Sequence, residues 1–191
     1  MLFGSMKIKN NELHIGGMSV TSLLEKHGSP LYVYDKVHIE NMIDIYQENF
    51  RSDLFKTSVA YASKAFLTKE MVRLVESKNM SIDLVSMGEM YTAKSAGYNM
   101  SNALIHGNNK SLSELHMCFD YEVGYIVIDN VYELEKVMKE ATNRKQPIKT
   151  LFRVNPGVEA HTHEYIVTAK LTSKFGESIF DDNTISTIIN M

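Results

Sequence analysis

One feature constrains this chain more than any other: apolar runs that recur at a nearly constant interval. Strand-like runs end near residues 64, 86, 107, 129 and 155, so successive ends lie about 22, 21, 22 and 26 residues apart. Between them, apolar residues fall at helical spacing. The pattern predicts strands over 57–63, 81–85, 103–106, 125–128 and 148–154. It predicts helices over 36–50, 68–78, 88–97, 112–120, 131–142 and 183–190. Ser86 with Glu89, Ser111 with Glu114 and Asn130 with Glu133 read as capping boxes at helix starts. Strands and helices alternating at this length mean right-handed βαβ units on a parallel sheet.

Two architectures compete for such a pattern. An open doubly wound sheet usually follows its first strand with a glycine-rich phosphate turn. Here the first strand of the repeat runs into "SKAF", which has no glycine. The regular period suits a (β/α)8 barrel, which needs roughly 250 residues. With 191 residues and five repeating units, the expected fold is α/β: the N-terminal part of a (β/α)8 TIM-type barrel over 36–191, its C-terminal half absent. Residues 1–35 read as short β elements of a second, β domain: a hairpin over 12–20 turning at Gly16 and Gly17, a short helix from Thr21 to Gly28, and a strand over 31–34. A half-barrel of this kind leaves edges at the strands over 57–63 and 148–154, so the isolated chain is expected to associate.

Composition excludes several function classes. Net charge is −3 and no Lys/Arg run exceeds two residues, which argues against a nucleic-acid surface. No apolar stretch reaches membrane length and the N-terminus lacks a signal-peptide pattern. The single cysteine, Cys118, excludes an intrachain disulfide and fits a reducing compartment, so the expected location is cytoplasmic. Cys118 falls in an apolar helical pattern and reads as buried filler.

Barrel chemistry sits where strands end. The residues there are Lys64, Asp83, Ser86, His106, Asn108, Asp129, Arg153 and Asn155. Strand alternation puts Lys64 on the face of Ala60 and Ala62. A lysine in that place either snorkels into water or supplies an amine for Schiff-base chemistry. The second role needs a neutral amine, and from a pKa of about 10.4 neutralisation at pH 7 costs about 4.6 kcal/mol. An apolar strand end and a nearby arginine both reduce that cost. Asp83 lies inside a strand between Ile82 and Leu84 and needs a partner, which Lys64 on the next strand is placed to provide. Glu89 taken alone reads as a cap, and Asp129 as a turn or cap residue. "HTHE" at 161–164 reads as a polar loop near a site mouth, and no metal is expected.

The segments "LHIGG", "GSPLYVYD", "YASKAF", "DLVSMGE", "IHGNNKS", "LFRVNPGVEAHTHEYI" and "SKFG" occur in that order across residues 13–176. Together they resemble the N-terminal portion of the diaminopimelate decarboxylases, pyridoxal-phosphate enzymes of the alanine-racemase-like barrel type related to the ornithine and arginine decarboxylases. The resemblance implies pyridoxal 5'-phosphate as cofactor, held as a Schiff base by Lys64. It implies catalytic roles for Lys64 and Asp83. It places Lys64, Asp83, Glu89, His106, Asn108, Arg153 and Lys174 about the cofactor, with Phe175 beside Lys174. It implies a homodimer with an active site at the subunit interface, and an amino-acid substrate, meso-diaminopimelate, decarboxylated to L-lysine. Ornithine, arginine or a carboxylated polyamine as substrate, or a non-catalytic half-barrel that holds cofactor, are the alternatives. Ala169 and Thr172 stand where the family has a glycine and an acidic residue. The family's phosphate loop and its catalytic cysteine and tyrosine lie beyond the matched segments, and Cys118 is not expected to replace that cysteine.

Overall fold

Gly16 and Gly17 turn the chain back on itself, as the alternation on either side requires. Both have positive φ, 59° and 82°, the mirror-turn geometry that matches the twist of paired strands. The computed structural model describes residues 2–157 and 175–189. In it the hairpin joins β2 (Glu12–Ile15) to β3 (Met18–Ser19), and β1 (Lys7–Lys9) pairs antiparallel with β2. β1 was not legible in the sequence because a single apolar residue, Ile8, between two lysines gives no period. Helix α1 (Val20–His27) is capped by Ser19 rather than by the expected Thr21, and Gly28 closes it. Residues 31–34, expected as a strand, are not one. Helix α2 (Lys36–Asn49) starts at Asp35, whose carboxylate accepts from the His38 backbone N–H. These elements lie in one compact unit, Met1–Val59, and the βα repeat in a second, Ala60–Met191.

The repeat folds into a five-stranded parallel sheet in chain order: β4 (Ala60–Ala62), β5 (Ser81–Leu84), β6 (Ala103–Ile105), β7 (Tyr125–Ile128) and β8 (Thr150–Phe152). Between them run α3 (Lys69–Ser77), α4 (Met87–Ser95), α5 (Leu112–Asp120) and α6 (Val131–Arg144). The (β/α)-barrel reading of the sequence holds. Burial alternates along the central strands. Ile82, Leu84, Ile105, Ile126 and Ile128 are fully buried on one face, while Ser81, Asp83, Leu104, Tyr125 and Val127 on the other are half-buried. The buried face forms a core with Val72, Val75, Met90, Leu115, Cys118 and Phe119 from the helices. Fully burying each large apolar side chain contributes about 1.5–3 kcal/mol.

Gly124, at the start of β7, shows how tightly the units pack. A Cβ there would collide with the Ser101 backbone oxygen. Only glycine allows its N–H to reach Met100 O at 3.0 Å.

Two departures from the sequence reading bear on the site. Strand β4 stops at Ala62, and Lys64 sits in the 3-10 turn Ser63–Ala65 that follows, so strand alternation does not set its direction. The run expected over 148–154 breaks at Arg153. Beyond it β9 (Val154–Asn155) pairs in parallel with β10 (Glu177–Ser178), which leads into α7 (Asp182–Ile189). β9 and β10 form a separate two-stranded sheet, so among the described residues the outer side of β8 stays an edge.

Candidate functional site

Strand alternation places Asp83, His106, Asp129 and Arg153 on the face opposite the helix-packed isoleucines. The parallel register brings their strand ends side by side: Leu84 pairs with Ile105, Ile105 with Ile126, and Ile128 with Phe152. Backbone bonds extend the ladder into the loops, His106 N to Leu84 O and Arg153 N to Ile128 O, each 2.8 Å. The four side chains form a continuous line. Asp83 Oδ2 lies 3.5 Å from His106 Nδ1, His106 Nε2 lies 3.2 Å from Arg153 Nη1, and Arg153 Nη1 donates to Asp129 Oδ1 at 3.1 Å. Asp129 is only 2 % exposed, and its carboxylate is paired with that guanidinium. The expected turn or cap residue is thus an ion-pair partner. Asp83 does find a partner, but among the described residues it is His106 rather than Lys64.

Lys64 is exposed, and the turn that carries it is clamped. The buried Ser63 hydroxyl donates to Glu89 Oε2 at 2.7 Å, and the same oxygen accepts the Val85 N–H at 2.6 Å. Ser86 accepts from Glu89 N as a cap should. The Glu89 side chain, however, reaches past the cap residue to the neighbouring strand end. The half of the capping box expected from Glu89 to Ser86 is replaced by a tie between β4 and β5.

The same device recurs two units on, and the sequence reading missed it. Asn130 accepts from Glu133 N, while Glu133 Oε2 accepts from Asp129 N at 2.9 Å and from Lys110 Nζ at 2.8 Å. Lys110 also donates to Gly107 O and Val127 O. All three of its ammonium protons have an acceptor, although its side chain is only 3 % exposed. Glu133 Oε1 is buried with no hydrogen-bond partner. The available signal was spacing: Glu89 and Glu133 each lie five residues beyond the last residue of the preceding strand. The box at Ser111 and Glu114 forms with both halves present.

Arg153 is further held by stacking. Its guanidinium carbon lies 4.5 Å from the Phe175 ring centroid. Arg153 O accepts from Glu177 N at 3.1 Å, which fixes β10 against the break. Asn108 is half-buried two residues past His106, and Asn155 is buried and accepts from Gly157 N. Lys174, Ala169, Thr172 and the "HTHE" stretch lie outside the described residues. Among the described residues no group of three or more metal-binding side chains occurs, and no helix is long and apolar enough to cross a membrane. Cys118 is buried in α5, and burial pushes its thiol up to about 12, so it stays protonated at neutral pH.

An exposed amine on a clamped turn, with a guanidinium and carboxylates on other strand ends of the same sheet, can bind an anionic carbonyl compound through a covalent bond and a charge pair. The chain is similar to known proteins over most of its length. Residues 38–190 match the pyridoxal-binding domain of the pyridoxal-dependent decarboxylases. Diaminopimelate decarboxylase of Bacillus subtilis is 42 % identical over 180 residues, 94 % of this chain and 41 % of the relative. That of Staphylococcus aureus is 40 % identical over 90 % of this chain and 40 % of its own length. This chain therefore spans about two fifths of the relatives it matches. Among solved structures, diaminopimelate decarboxylase from M. jannaschii in complex with L-lysine superposes with a TM-score of 0.86 at 28 % identity, over 97 % of this chain and 44 % of that one.

Proposed function

The chain belongs to the pyridoxal-dependent decarboxylases and carries their pyridoxal-binding domain. From that premise we propose that the whole protein decarboxylates meso-2,6-diaminopimelate to L-lysine and carbon dioxide, with pyridoxal 5'-phosphate attached through Lys64. One observation carries this reading: relatives with that activity in their names are 40–42 % identical across nine-tenths or more of the chain. The start of the family match at residue 38 supports 36–191 as the cofactor domain and 1–35 as part of a β domain. The enzyme acts in the cytoplasm as a homodimer with a shared active site, as the family resemblance implies.

The proposed roles follow from the geometry. Pyridoxal phosphate, when bound, supplies the electron sink that lets a carboxylate leave as carbon dioxide. Lys64 Nζ provides its covalent attachment. Glu89 keeps that amine in place by gripping Ser63 and Val85 with one oxygen. Arg153 presents fixed positive charge, which Asp129 holds from below. Asp83 orients the imidazole of His106 and supplies negative charge to the same rim. Asn108 and Lys174 complete the proposed cofactor contacts.

Borohydride reduction of the whole protein should fix pyridoxal phosphate to Lys64, and peptide mapping reads the position. Lys64→Ala should abolish the adduct and most turnover; arginine would not rescue it, because guanidinium stays protonated. An adduct mapped to another lysine overturns the attachment. Carbon dioxide release should have a larger kcat/KM for meso-diaminopimelate than for ornithine or arginine, and the reverse order overturns the substrate.

A further inference from the structure

The imidazole of His106 lies between a group that can only accept hydrogen bonds and one that can only donate them. An ionised Asp83 carboxylate has no proton to give, and a guanidinium has no acceptor. With Nδ1 facing Asp83 Oδ2 at 3.5 Å and Nε2 facing Arg153 Nη1 at 3.2 Å, the ring proton belongs on Nδ1, and Nε2 must present its lone pair. The other tautomer would set N–H against N–H at Arg153 and a lone pair against a carboxylate at Asp83. The imidazole thus acts as a polarity-matched spacer between β5 and β8, two strand ends that are not neighbours in the sheet.

Arg153 needs such a guide. Its Nη1 is shared between His106 Nε2 and Asp129 Oδ1, while Phe175 covers one face of the guanidinium. Among the described residues, Asp129 alone gives Arg153 one side-chain acceptor, about which a long side chain can swing. A second contact to the same nitrogen from a different direction fixes the angle, much as a carboxylate behind a metal-bound histidine fixes that ring.

We propose that His106 is a positioning residue for Arg153: with Nδ1–H turned toward the Asp83 carboxylate, it accepts from the guanidinium and sets where its positive charge points. His106 then acts on the cofactor through Arg153. The inference rests on the reading that this rim holds pyridoxal phosphate, and two independent measurements separate the two ideas.

The test is a double-mutant cycle in the whole protein with His106→Leu, Arg153→Met and the pair, plus His106→Gln, whose amide can still donate to Asp83 and accept from Arg153. Thermal unfolding without cofactor reads the bridge itself; pyridoxal phosphate titration by absorbance reads its consequence. His106→Leu should weaken cofactor binding about tenfold when Arg153 is present and less than about twofold when it is methionine, a coupling of ordinary size for contacting residues. His106→Gln should recover most of the loss. Coupling should also appear in the unfolding cycle. Additive unfolding effects overturn the bridge, whether or not cofactor binds. Coupled unfolding with additive cofactor affinities overturns the positioning role. A wild-type protein that gives no reducible adduct at Lys64 overturns the parent reading, and the bridge is then decided by the unfolding cycle alone.

Discussion

Gly176 meets Arg153 too closely for a side chain. It has φ of 69°, and an added Cβ would stand 2.9 Å from Arg153 O. That approach lets Glu177 N bond Arg153 O and sets Phe175 over the guanidinium. Gly176→Ala must strain the backbone or push β10 away, at a cost of about 1–3 kcal/mol. Denaturant unfolding measures the cost. Weaker pyridoxal phosphate binding should accompany it, because Arg153 moves with the strand; an alanine variant as stable as wild type would show that the approach is not tight. Cys118 gives a second residue-level expectation. In the unfolded chain its thiol ionises near 9, whereas in the folded protein burial delays this to about 12. Between those values the folded state binds more protons, so stability is undiminished below about pH 9 and falls by about 1.4 kcal/mol per pH unit above it. Burial also raises the Tyr98 hydroxyl and adds a decline in the same direction at higher pH. Cys118→Ala should flatten the stability profile just above pH 9, and an unchanged slope would place the thiol nearer water than its burial indicates.

Helix starts serve here as couplings between neighbouring units. Glu89 on α4 ties down the Lys64 turn, and Glu133 on α6 ties Lys110 to Asp129, the residue that holds Arg153. Lys110→Ala leaves a buried carboxylate without its cation, and removing one partner of a buried pair costs about 3–5 kcal/mol. Lys110→Met with Glu133→Leu removes both charges; it loses the same bonds to Gly107 O and Val127 O as Lys110→Ala and adds the unsatisfied Asp129 N–H, at about 1–3 kcal/mol, in place of the unpaired charge. Denaturant midpoints should therefore rank wild type, double variant, then Lys110→Ala; a double variant less stable than the single would show that the pair contributes more than its desolvation costs. These couplings mark where sequence reading stops. The strand–helix rhythm, the Ser111 cap and the Gly16-Gly17 turn were legible because each follows from residues close in sequence. The Glu133–Lys110 pair spans 23 residues and the His106–Arg153 contact 47, so they exist only once the register of the sheet is known. Lys64, Asp83, His106, Asp129 and Arg153 were identifiable as strand-end groups, and Glu89 as a cap. Who pairs with whom was not: Asp83 was matched to Lys64 because their strands are adjacent, whereas the 3-10 turn after Ala62 takes the lysine out of the strand's alternation.

At the scale of the whole molecule, what matters is how much apolar surface the 191 residues leave uncovered. A barrel closes with eight strands and thereby removes its edges. In the described residues β4 and β8 end the two sides of the five-stranded order, and β9 with β10 forms a separate two-stranded sheet. Tyr32, Leu54, Phe55 and Phe180 are all more than half exposed. β10 is only two residues long, so it shields little of the face beyond Arg153. A polypeptide of residues 1–191 expressed by itself should therefore elute from size-exclusion columns as oligomers or aggregates, with the proportion rising with concentration. It should bind pyridoxal phosphate more weakly than the whole protein and release no carbon dioxide from meso-diaminopimelate, because it spans about two fifths of the relatives it matches. Light scattering across a concentration series, with cofactor titration on the same samples, makes the comparison. A monodisperse monomer that unfolds cooperatively and turns over substrate would show that the five-stranded sheet and its helices already bury what they must, and that the rim from Lys64 to Arg153 is sufficient for the chemistry.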